Sequence, residues 1–320
     1  MTHVVVTGAQ GFVGTVLVRR LLSSGLNGFP VDAVTLVDLA FDRAHPDPRV
    51  VQVAGSIADA SFRTQMFSSH VDAVFHLASV PGGAAEKNYD LGRSVNLDAT
   101  QALLEALRKQ QEVTRQVALP LFVFASTVAV YGETLPALVD EATLPAPALS
   151  YGAHKLAGED LVADASRRGW VQGCSLRLPG VVARPGEGAG LMSAVMGQLF
   201  WKLAAGKPIT VPVTAQGVAW WISAKTCVDN LLHATSLGGD HWNPQRLVQM
   251  PALRLTMAEV VDGLAARFGA DRRQLVTYAP EPLIERLFAS YPPLHTPFAQ
   301  SLGFGHDGDV HRLIEHALAI

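Results

Sequence analysis

The strongest constraint on the fold is a glycine-rich turn at residues 8–14, between a β-branched run, His3–Thr7, and a helical apolar pattern at residues 11–22. The run is typical of a buried parallel strand. Glycines at this spacing permit a tight turn, close backbone approach to a pyrophosphate, and close packing of helix on strand. The helix start adds N–H groups and a positive dipole end. The residues predicted to hold a dinucleotide pyrophosphate are Gly8, Gly11, Phe12, Val13 and Gly14.

The first half of the chain repeats this strand-then-helix order. Alternation at this pitch predicts an α/β fold, a Rossmann-type doubly wound parallel sheet with right-handed crossovers. Further strands are predicted at residues 33–37, 50–53, 71–77, 119–125 and 174–178, and helices at 91–108 and 151–168.

Past residue 178 the pattern loosens, which indicates a smaller second lobe. Prolines and glycines, including Pro185, Gly186, Gly188 and Gly190, predict a loop. We predict the Rossmann domain at residues 1–178, with residues 216–240 returning to it, and the lobe at residues 179–320. Elements predicted in the lobe are helices at 191–205, 226–237, 256–268 and 310–318, and a strand at 209–213.

Composition and charge exclude several classes of protein. Hydrophobic residues make up 49% of the 320 and charged residues 17%, enough for a large core. A net charge of −3 without charge runs argues against nucleic-acid or membrane-surface binding. No spanning stretch or signal peptide is evident. The two cysteines, Cys174 and Cys227, form no framework, and no histidine set has metal spacing, so we expect a cytoplasmic protein without a metal site.

The acidic residue Asp38 ends the second predicted strand, where a carboxylate can accept hydrogen bonds from an adenosine ribose. A 2′-phosphate would meet its negative charge, so Asp38 favours NAD over NADP. Arg43 is the nearest arginine that could partly restore NADP binding.

A tyrosine and a lysine four residues apart, Tyr151 and Lys155, lie on one face of a predicted helix. Free tyrosine, with a pKa of about 10, is a poor base at neutral pH, but a nearby ammonium favours the phenolate. Downstream of a dinucleotide motif this pair indicates a general base and its activator. Two hydroxyl residues, Ser126 and Thr127, follow an apolar strand at the sheet's ligand-binding edge.

Together these segments resemble the extended short-chain dehydrogenase/reductases, the NAD-dependent epimerase/dehydratase family, over essentially the whole chain. The resemblance implies that Thr127 holds the catalytic hydroxyl position, that Asn96 supports the proton-relay region, and that NAD is the cofactor. It also implies a homodimer formed through the helices at 91–108 and 151–168. Further cofactor contacts that it implies are Ser56 and Ile57 near the adenine, Leu77, Ala78, Ser79 and Lys155 near the nicotinamide ribose, and also Asn96 and Tyr151.

The substrate class is indicated by the two tryptophans at residues 220–221, at a position where other family members bind a phosphate. Nucleotide-sugar members of the family usually carry an arginine where this chain has Trp220 and Trp221. Segments at residues 82–86, 89–92, 95–98, 175–179, 221–223 and 290–292 instead resemble the D-erythronate dehydrogenase subgroup. This resemblance implies oxidation of the C2 hydroxyl of a small sugar acid. A nucleotide-sugar epimerase or dehydratase and a non-catalytic NAD(H)-sensing regulator remain alternatives. The predicted substrate contacts are Gly82, Gly83, Ser126, Thr127, Tyr151, Arg184 and Trp221.

Overall fold

A computed structural model of the chain describes residues 2–67, 69–114, 118–186 and 194–319. Gly188, Gly190 and the first three residues of the helix predicted at 191–205 lie outside these ranges. The strands in the described residues are β1 (His3–Thr7), β2 (Ala33–Asp38), β3 (Val50–Ala54), β4 (Ala73–His76), β5 (Leu121–Thr127), β6 (Val139–Asp140), β7 (Gln172–Leu178), β8 (Gly180–Val182), β9 (Ile209–Val211), β10 (Val218–Ser223), β11 (Leu247–Gln249), β12 (Leu253–Thr256), β13 (Val276–Tyr278) and β14 (Leu294–His295).

The helices follow the apolar periodicity of the sequence, and several begin at a capping side chain. Asp59, Thr256 and Asp309 each accept hydrogen bonds from the first turn of the helix that follows. The α-helices are α1 (Phe12–Ser24), α2 (Ala60–Met66), α3 (Gly82–Lys87), α4 (Tyr89–Arg93), α5 (Ala99–Thr114), α6 (Ser150–Arg167), α7 (Ala194–Ala204), α8 (Ala224–Ala234), α9 (Met257–Phe268), α10 (Pro282–Phe288), α11 (Pro297–Ser301) and α12 (Val310–Leu318).

The main sheet has the strand order β11-β7-β5-β4-β1-β2-β3. The pairs β1–β2, β1–β4, β2–β3 and β4–β5 are parallel, with Thr7 opposite Val37 on one side and His76 on the other. From β1 the chain builds the sheet outward to β2 and β3 on one side, and then from β4 outward to β5 and β7 on the other side. The predicted doubly wound Rossmann-type sheet is therefore confirmed. The carboxyl ends of β1, β2, β4 and β5 therefore lie along one edge, where such sheets bind ligands.

The chain divides into two compact units, each made of separate segments. Unit 1 comprises residues 1–130, 147–177 and 231–248; unit 2 comprises the remainder. The returning segment thus differs from the predicted 216–240. The reason is that β10 pairs with β8 and β12, so residues 218–223 belong to the three-stranded sheet of unit 2.

Each unit has its own apolar core. In unit 1, Val5, Phe122 and Phe124 pack with the inward faces of α5 and α6. In unit 2, Trp221 and Phe200 pack among residues of α7, α9 and α12. Within the described residues no helix is both long and apolar enough to cross a membrane.

The helix predicted at residues 91–108 is interrupted. The observed order is α4, a π-helical turn at Ser94–Asp98, and then α5. In the π-helical turn the N–H of Ala99 donates to the carbonyl of Ser94, five residues back. Apolar periodicity does not reveal one inserted residue, and π turns frequently mark functional positions. The inserted turn carries Asn96.

Candidate cofactor and catalytic site

The glycine-rich turn joins β1 to α1 and is held against β2. The N–H groups of Gly8 and Ala9 both donate to the Val37 carbonyl, at 2.8 and 3.2 Å. Gly8 has φ +70°, and a Cβ there would lie 2.8 Å from the Ala78 nitrogen. A Cβ on Gly14 would lie 2.2 Å from the Gly8 carbonyl oxygen. Neither position accepts a side chain, so the surface of the turn consists of backbone atoms alone. We call this surface of residues 8–14 the backbone cradle.

The start of α1 completes this cradle. Gly11 is the residue before the helix, and no side chain caps it there. The helix opens with Phe12 and Val13, directly after the glycine turn. A helix start at the carboxyl edge of a parallel sheet is suited to a phosphate group. The backbone cradle and the helix start together fit the pyrophosphate of a dinucleotide.

The carboxylate of Asp38 lies beside the same turn. One oxygen accepts from the Gln10 N–H at 2.8 Å and the other from the Leu39 N–H at 2.8 Å. Asp38 is half-buried at the end of β2. These bonds hold the carboxylate at the edge of the sheet, where it retains lone pairs for a ribose.

The turn after β3 contains the predicted adenine contacts. The Gly55 N–H donates to the Asp38 carbonyl, which places this turn next to β2. The Ser56 hydroxyl accepts from the Ala58 N–H at 3.2 Å, and Ile57 is buried. Asp59, at the end of this turn, caps α2. The serine oxygen thus takes part in its own turn and keeps its O–H as a donor for a bound molecule.

The loop after β4 is held by Asn96. Its side-chain oxygen accepts from the Val80 N–H at 2.7 Å, and its side-chain nitrogen donates to the Val80 carbonyl at 3.0 Å. Asn96 is buried. Its two side-chain bonds to the backbone indicate that it positions the loop rather than contacting a bound molecule.

The predicted tyrosine–lysine pair occupies the first two turns of α6. The Lys155 ammonium nitrogen lies 6.0 Å from the centroid of the Tyr151 ring and 4.5 Å from that of Phe124. It donates to the Ala125 carbonyl at 2.8 Å. Lys155 is 1% exposed. Burial lowers the pKa of Lys155 to about 7, and the negative charge of Glu159 opposes that shift.

Close packing brings the start of α6 to the end of β5. A Cβ on Gly152 would lie 2.6 Å from the Ala129 carbonyl oxygen. The Ala129 N–H in turn donates to the Thr127 hydroxyl at 3.1 Å. Thr127 therefore lies in the turn against which the residue next to Tyr151 packs.

The position of Ser126 differs from the one predicted, in which its side chain contacts the substrate. It is buried, and its hydroxyl donates to Glu159 inside unit 1. Successive residues of a strand face opposite sides, so Ser126 and Thr127 point apart. Glu159 also pairs with Arg177, with N–O distances of 2.9 and 2.7 Å. Arg177 is therefore held in a buried ion pair, and its partner Glu159 lies one helical turn after Lys155.

The glycines of the predicted substrate loop form the start of a helix. Gly82 and Gly83 open α3, and a Cβ on Gly82 would lie 3.8 Å from the Tyr151 Cβ. The Glu86 carboxylate accepts from the Ser150 N–H at 2.9 Å. Both contacts tie α3 to the start of α6, so Gly82 lies beside the predicted base.

In unit 2 the two tryptophans are core residues. Trp221 has no exposed surface and donates to the Leu255 carbonyl at 2.9 Å. Trp220 stacks on Tyr291 at 4.6 Å between ring centroids and donates to the Pro292 carbonyl. The predicted substrate contact of Trp221 is therefore not supported, because neighbouring aromatic and aliphatic groups cover both faces of β10. Arg184 is exposed, after the buried Ala183 with φ +60°.

Among the described residues, no group of three or more His, Cys, Asp or Glu side chains is placed to hold a metal ion. Both cysteines are free and buried.

Comparison with known proteins identifies relatives over nearly the whole chain. The family model described as "NAD dependent epimerase/dehydratase family" matches residues 4–243. D-erythronate dehydrogenase from Cupriavidus necator is 36% identical over 318 residues, covering 98% of this chain and 96% of that protein. D-erythronate dehydrogenase from Haemophilus influenzae is 29% identical, covering 98% and 97%.

A similar solved structure is described as the nucleoside-diphosphate-sugar epimerase from Agrobacterium tumefaciens. It superposes with a TM-score of 0.90 at 29% identity, covering 98% of this chain and 92% of that one. The sheet and the second unit thus follow an architecture seen in experimental structures.

Proposed function

This chain belongs to the NAD-dependent epimerase/dehydratase family, and on that premise we propose that it oxidises the C2 hydroxyl of a small sugar acid, such as D-erythronate, to the 2-oxo acid. NAD supplies the hydride acceptor. The residues proposed to hold it are those of the glycine turn, Asp38, the 56–57 turn and the loop at residues 77–79.

The observation that carries this proposal is the placement of Tyr151 beside the buried ammonium of Lys155, at the sheet edge that also carries the glycine turn. In this proposal Tyr151 as phenolate removes the proton from the substrate hydroxyl. Lys155 stabilises the phenolate, and its bond to the Ala125 carbonyl holds it in place. Thr127 orients the hydroxyl, and Asn96 fixes the neighbouring loop.

The substrate class is supported by the interior of unit 2. Trp220 and Trp221 are buried and bonded to backbone carbonyls, so this position offers no cation to a diphosphate. Burying an unpaired diphosphate would be very costly. A small carboxylate needs one bidentate donor, and we propose the exposed Arg184 for that role.

The test is an NADH-absorbance screen of four- and five-carbon sugar acids with the purified protein. We expect turnover of D-erythronate or a close stereoisomer. In the same screen Arg184→Ala should raise KM more than it lowers kcat, because a carboxylate held equally in ground and transition states contributes uniform binding.

The alternative within the family is a nucleotide-sugar epimerase, which the similarity to the Agrobacterium tumefaciens structure favours. Micromolar binding of a UDP-sugar by calorimetry, without NADH formation from any sugar acid, would establish the alternative. A non-catalytic NAD(H) sensor would bind NAD and show neither activity.

We also propose a cytoplasmic homodimer. In support, Tyr89 and Leu91 on α4 are 55% and 45% exposed, next to the helices predicted to form the dimer. Light scattering coupled to gel filtration tests the dimer, with Leu91→Glu as the variant expected to give monomers. A monomeric wild-type protein would contradict it.

A further inference from the structure

A buried histidine that the proposed mechanism does not use, His76, connects the two ends of the loop at residues 77–80. On one side, the Ala78 N–H donates to the Thr7 hydroxyl at 3.3 Å, and that hydroxyl lies 2.8 Å from His76 Nδ1. These contacts tie the loop to the end of β1.

On the other side, His76 Nε2 lies 2.9 Å from the Thr100 hydroxyl. That hydroxyl donates to the Asn96 carbonyl at 2.9 Å. The Asn96 side chain then bonds both backbone groups of Val80. The chain of hydrogen bonds therefore begins at Ala78, passes through His76 and ends at Val80.

The direction of each bond follows from the number of hydrogens available. A threonine hydroxyl has one hydrogen, and Thr100 gives it to a carbonyl, which can only accept. His76 Nε2 must then be the donor to Thr100. Nδ1 of a neutral ring with a protonated Nε2 is an acceptor, so Thr7 donates to it. The imidazole ring and the two hydroxyl groups therefore have a single arrangement of hydrogens.

We propose that His76, as its neutral Nε2–H tautomer, is a positioning residue that holds the loop at residues 77–80 in the conformation that receives NAD. This inference rests on the proposed NAD site and goes beyond it, because His76 itself touches neither reactant.

Burial supports this role. His76, Thr7 and Thr100 have no exposed surface. Burial, with a smaller contribution from the positive charge of Lys155, lowers the pKa of His76 to about 3, so the ring remains neutral at physiological pH. A fully satisfied buried network selects one local structure, whereas a partly satisfied one is costly.

The first test is the tautomer itself, read from nitrogen-15 chemical shifts of the histidine-labelled protein. We expect a protonated Nε2 and an unprotonated Nδ1 at His76, unchanged between pH 6 and 9, with His76→Asn used to assign the signal. A protonated Nδ1, or titration in this range, would overturn the proposal without bearing on the reaction.

The second test uses two matched threonines. Thr100→Val removes the bond to His76, and Thr35→Val removes an equivalent buried bond, since the Thr35 hydroxyl lies 2.8 Å from Nε2 of the buried His3. Both variants should lose similar thermal stability. Only Thr100→Val should weaken NAD binding by calorimetry, by about 3- to 30-fold, as expected for an unsatisfied buried group. Thr100→Ser, which keeps a hydroxyl, should restore it.

Equal NAD affinities of Thr100→Val and Thr35→Val would refute the positioning role. Should Thr100→Val not fold, the NAD affinities of His76→Asn and His3→Asn are compared instead. Weaker binding by His76→Asn alone would support the positioning role, and equal affinities would refute it. Failure of the wild-type protein to bind NAD would instead contradict the proposed function, so the two failures are distinguishable.

Discussion

At the residue scale, the Tyr151 hydroxyl can be separated from cofactor binding by one substitution. Tyr151→Phe keeps the ring beside Lys155 and removes the proposed base. We expect NAD binding to persist and kcat to fall by about 10²- to 10⁴-fold, the usual cost of losing a general base. Steady-state kinetics and calorimetry measure the two effects.

A matched control is Tyr89→Phe, which removes a hydroxyl from a half-exposed tyrosine on α4. Its kcat should equal that of the wild type. A Tyr151→Phe variant within a few-fold of the wild-type rate would remove Tyr151 from the mechanism.

The buried Lys155 is expected to lower the free energy of unfolding, although the proposed reaction needs it. Its pKa is about 7 in the folded protein against 10.5 ordinarily, so between these values the unfolded chain binds more protons. Lys155→Met should therefore raise the unfolding free energy of the cofactor-free protein by about 1–4 kcal/mol at pH 7. The gain should shrink as pH rises from about 7 to 10.5.

Urea unfolding at several pH values measures this difference. A gain that does not change with pH would show that the pKa of Lys155 is the same in the folded and unfolded chains. Loss of turnover in the same variant would be expected, because the phenolate loses its counter-charge.

Asp38 is expected to set the preference for NAD through its charge. Asp38→Asn keeps an acceptor for the Gln10 N–H and removes the charge, whereas Asp38→Ala removes both. Both should narrow the gap between NAD and NADP affinity, by about tenfold for a loss of about 1.4 kcal/mol of repulsion. Tighter binding of NADP than NAD by the wild type would contradict the assignment.

Residue by residue, spacing predicted which groups lie close together. Examples are the close approach of Gly14 to Gly8 and of Lys155 to Tyr151, since each follows a motif with a fixed geometry. Ser126 and Trp221 were misplaced for a physical reason. The hydroxyl pair at 126–127 shows that one side chain faces the edge of the site, but not which one. The sequence pattern of two adjacent tryptophans in a strand is the same whether their side chains line a pocket or lie in a core.

At the element scale, the contact between α1 and β1 depends on the absence of one methyl group. Gly14→Ala would place a Cβ 2.2 Å from the Gly8 carbonyl oxygen, which is backbone and cannot rotate away. We expect a loss of about 3 kcal/mol or more in stability, and loss of NAD binding. Gly305→Ala, with nothing within 4 Å, is the control.

Thermal unfolding and NAD calorimetry on both variants check this expectation. Unchanged NAD affinity in Gly14→Ala would show that the helix can shift without disturbing the cradle. A comparable loss in Gly305→Ala would show that the effect is not specific to the turn.

Most elements of unit 1 could be predicted because strand and helix periodicities differ clearly there. β1 has the predicted bounds, as does α12 in unit 2. The π-helical turn at Ser94–Asp98 and the strand β11 were not predicted. The first adds one residue to an otherwise continuous pattern. The second has three residues, too few for a period, and joins the sheet only through pairing with a distant strand.

At the scale of the whole molecule, unit 1 is not contiguous in the chain. The segment at residues 231–248 returns to it, and the Arg246 side chain donates to the Gly173 carbonyl at 2.7 Å while the Ser175 N–H donates to the Arg246 carbonyl. A fragment of residues 1–178 would lack these bonds and expose the edge of β7.

We therefore expect the fragment of residues 1–178 to unfold without a cooperative transition and to bind NAD at least about tenfold more weakly than the whole chain. Circular dichroism melting and calorimetry test this. A cooperative transition with wild-type NAD affinity would show that residues 1–178 are an independent folding unit.

The late position of β11 in the chain has a consequence for synthesis. About 70 residues separate the end of β7 from the end of β11, and ribosomes add about 5–20 residues per second. For about 4–14 s, each nascent chain carries a sheet that lacks β11, so that one side of β7 is unpaired. Such an edge can pair with another chain, so crowding on a single messenger favours aggregation at this stage. Slower translation of residues 178–249 should lower the yield of native protein, even though the finished molecule is unchanged.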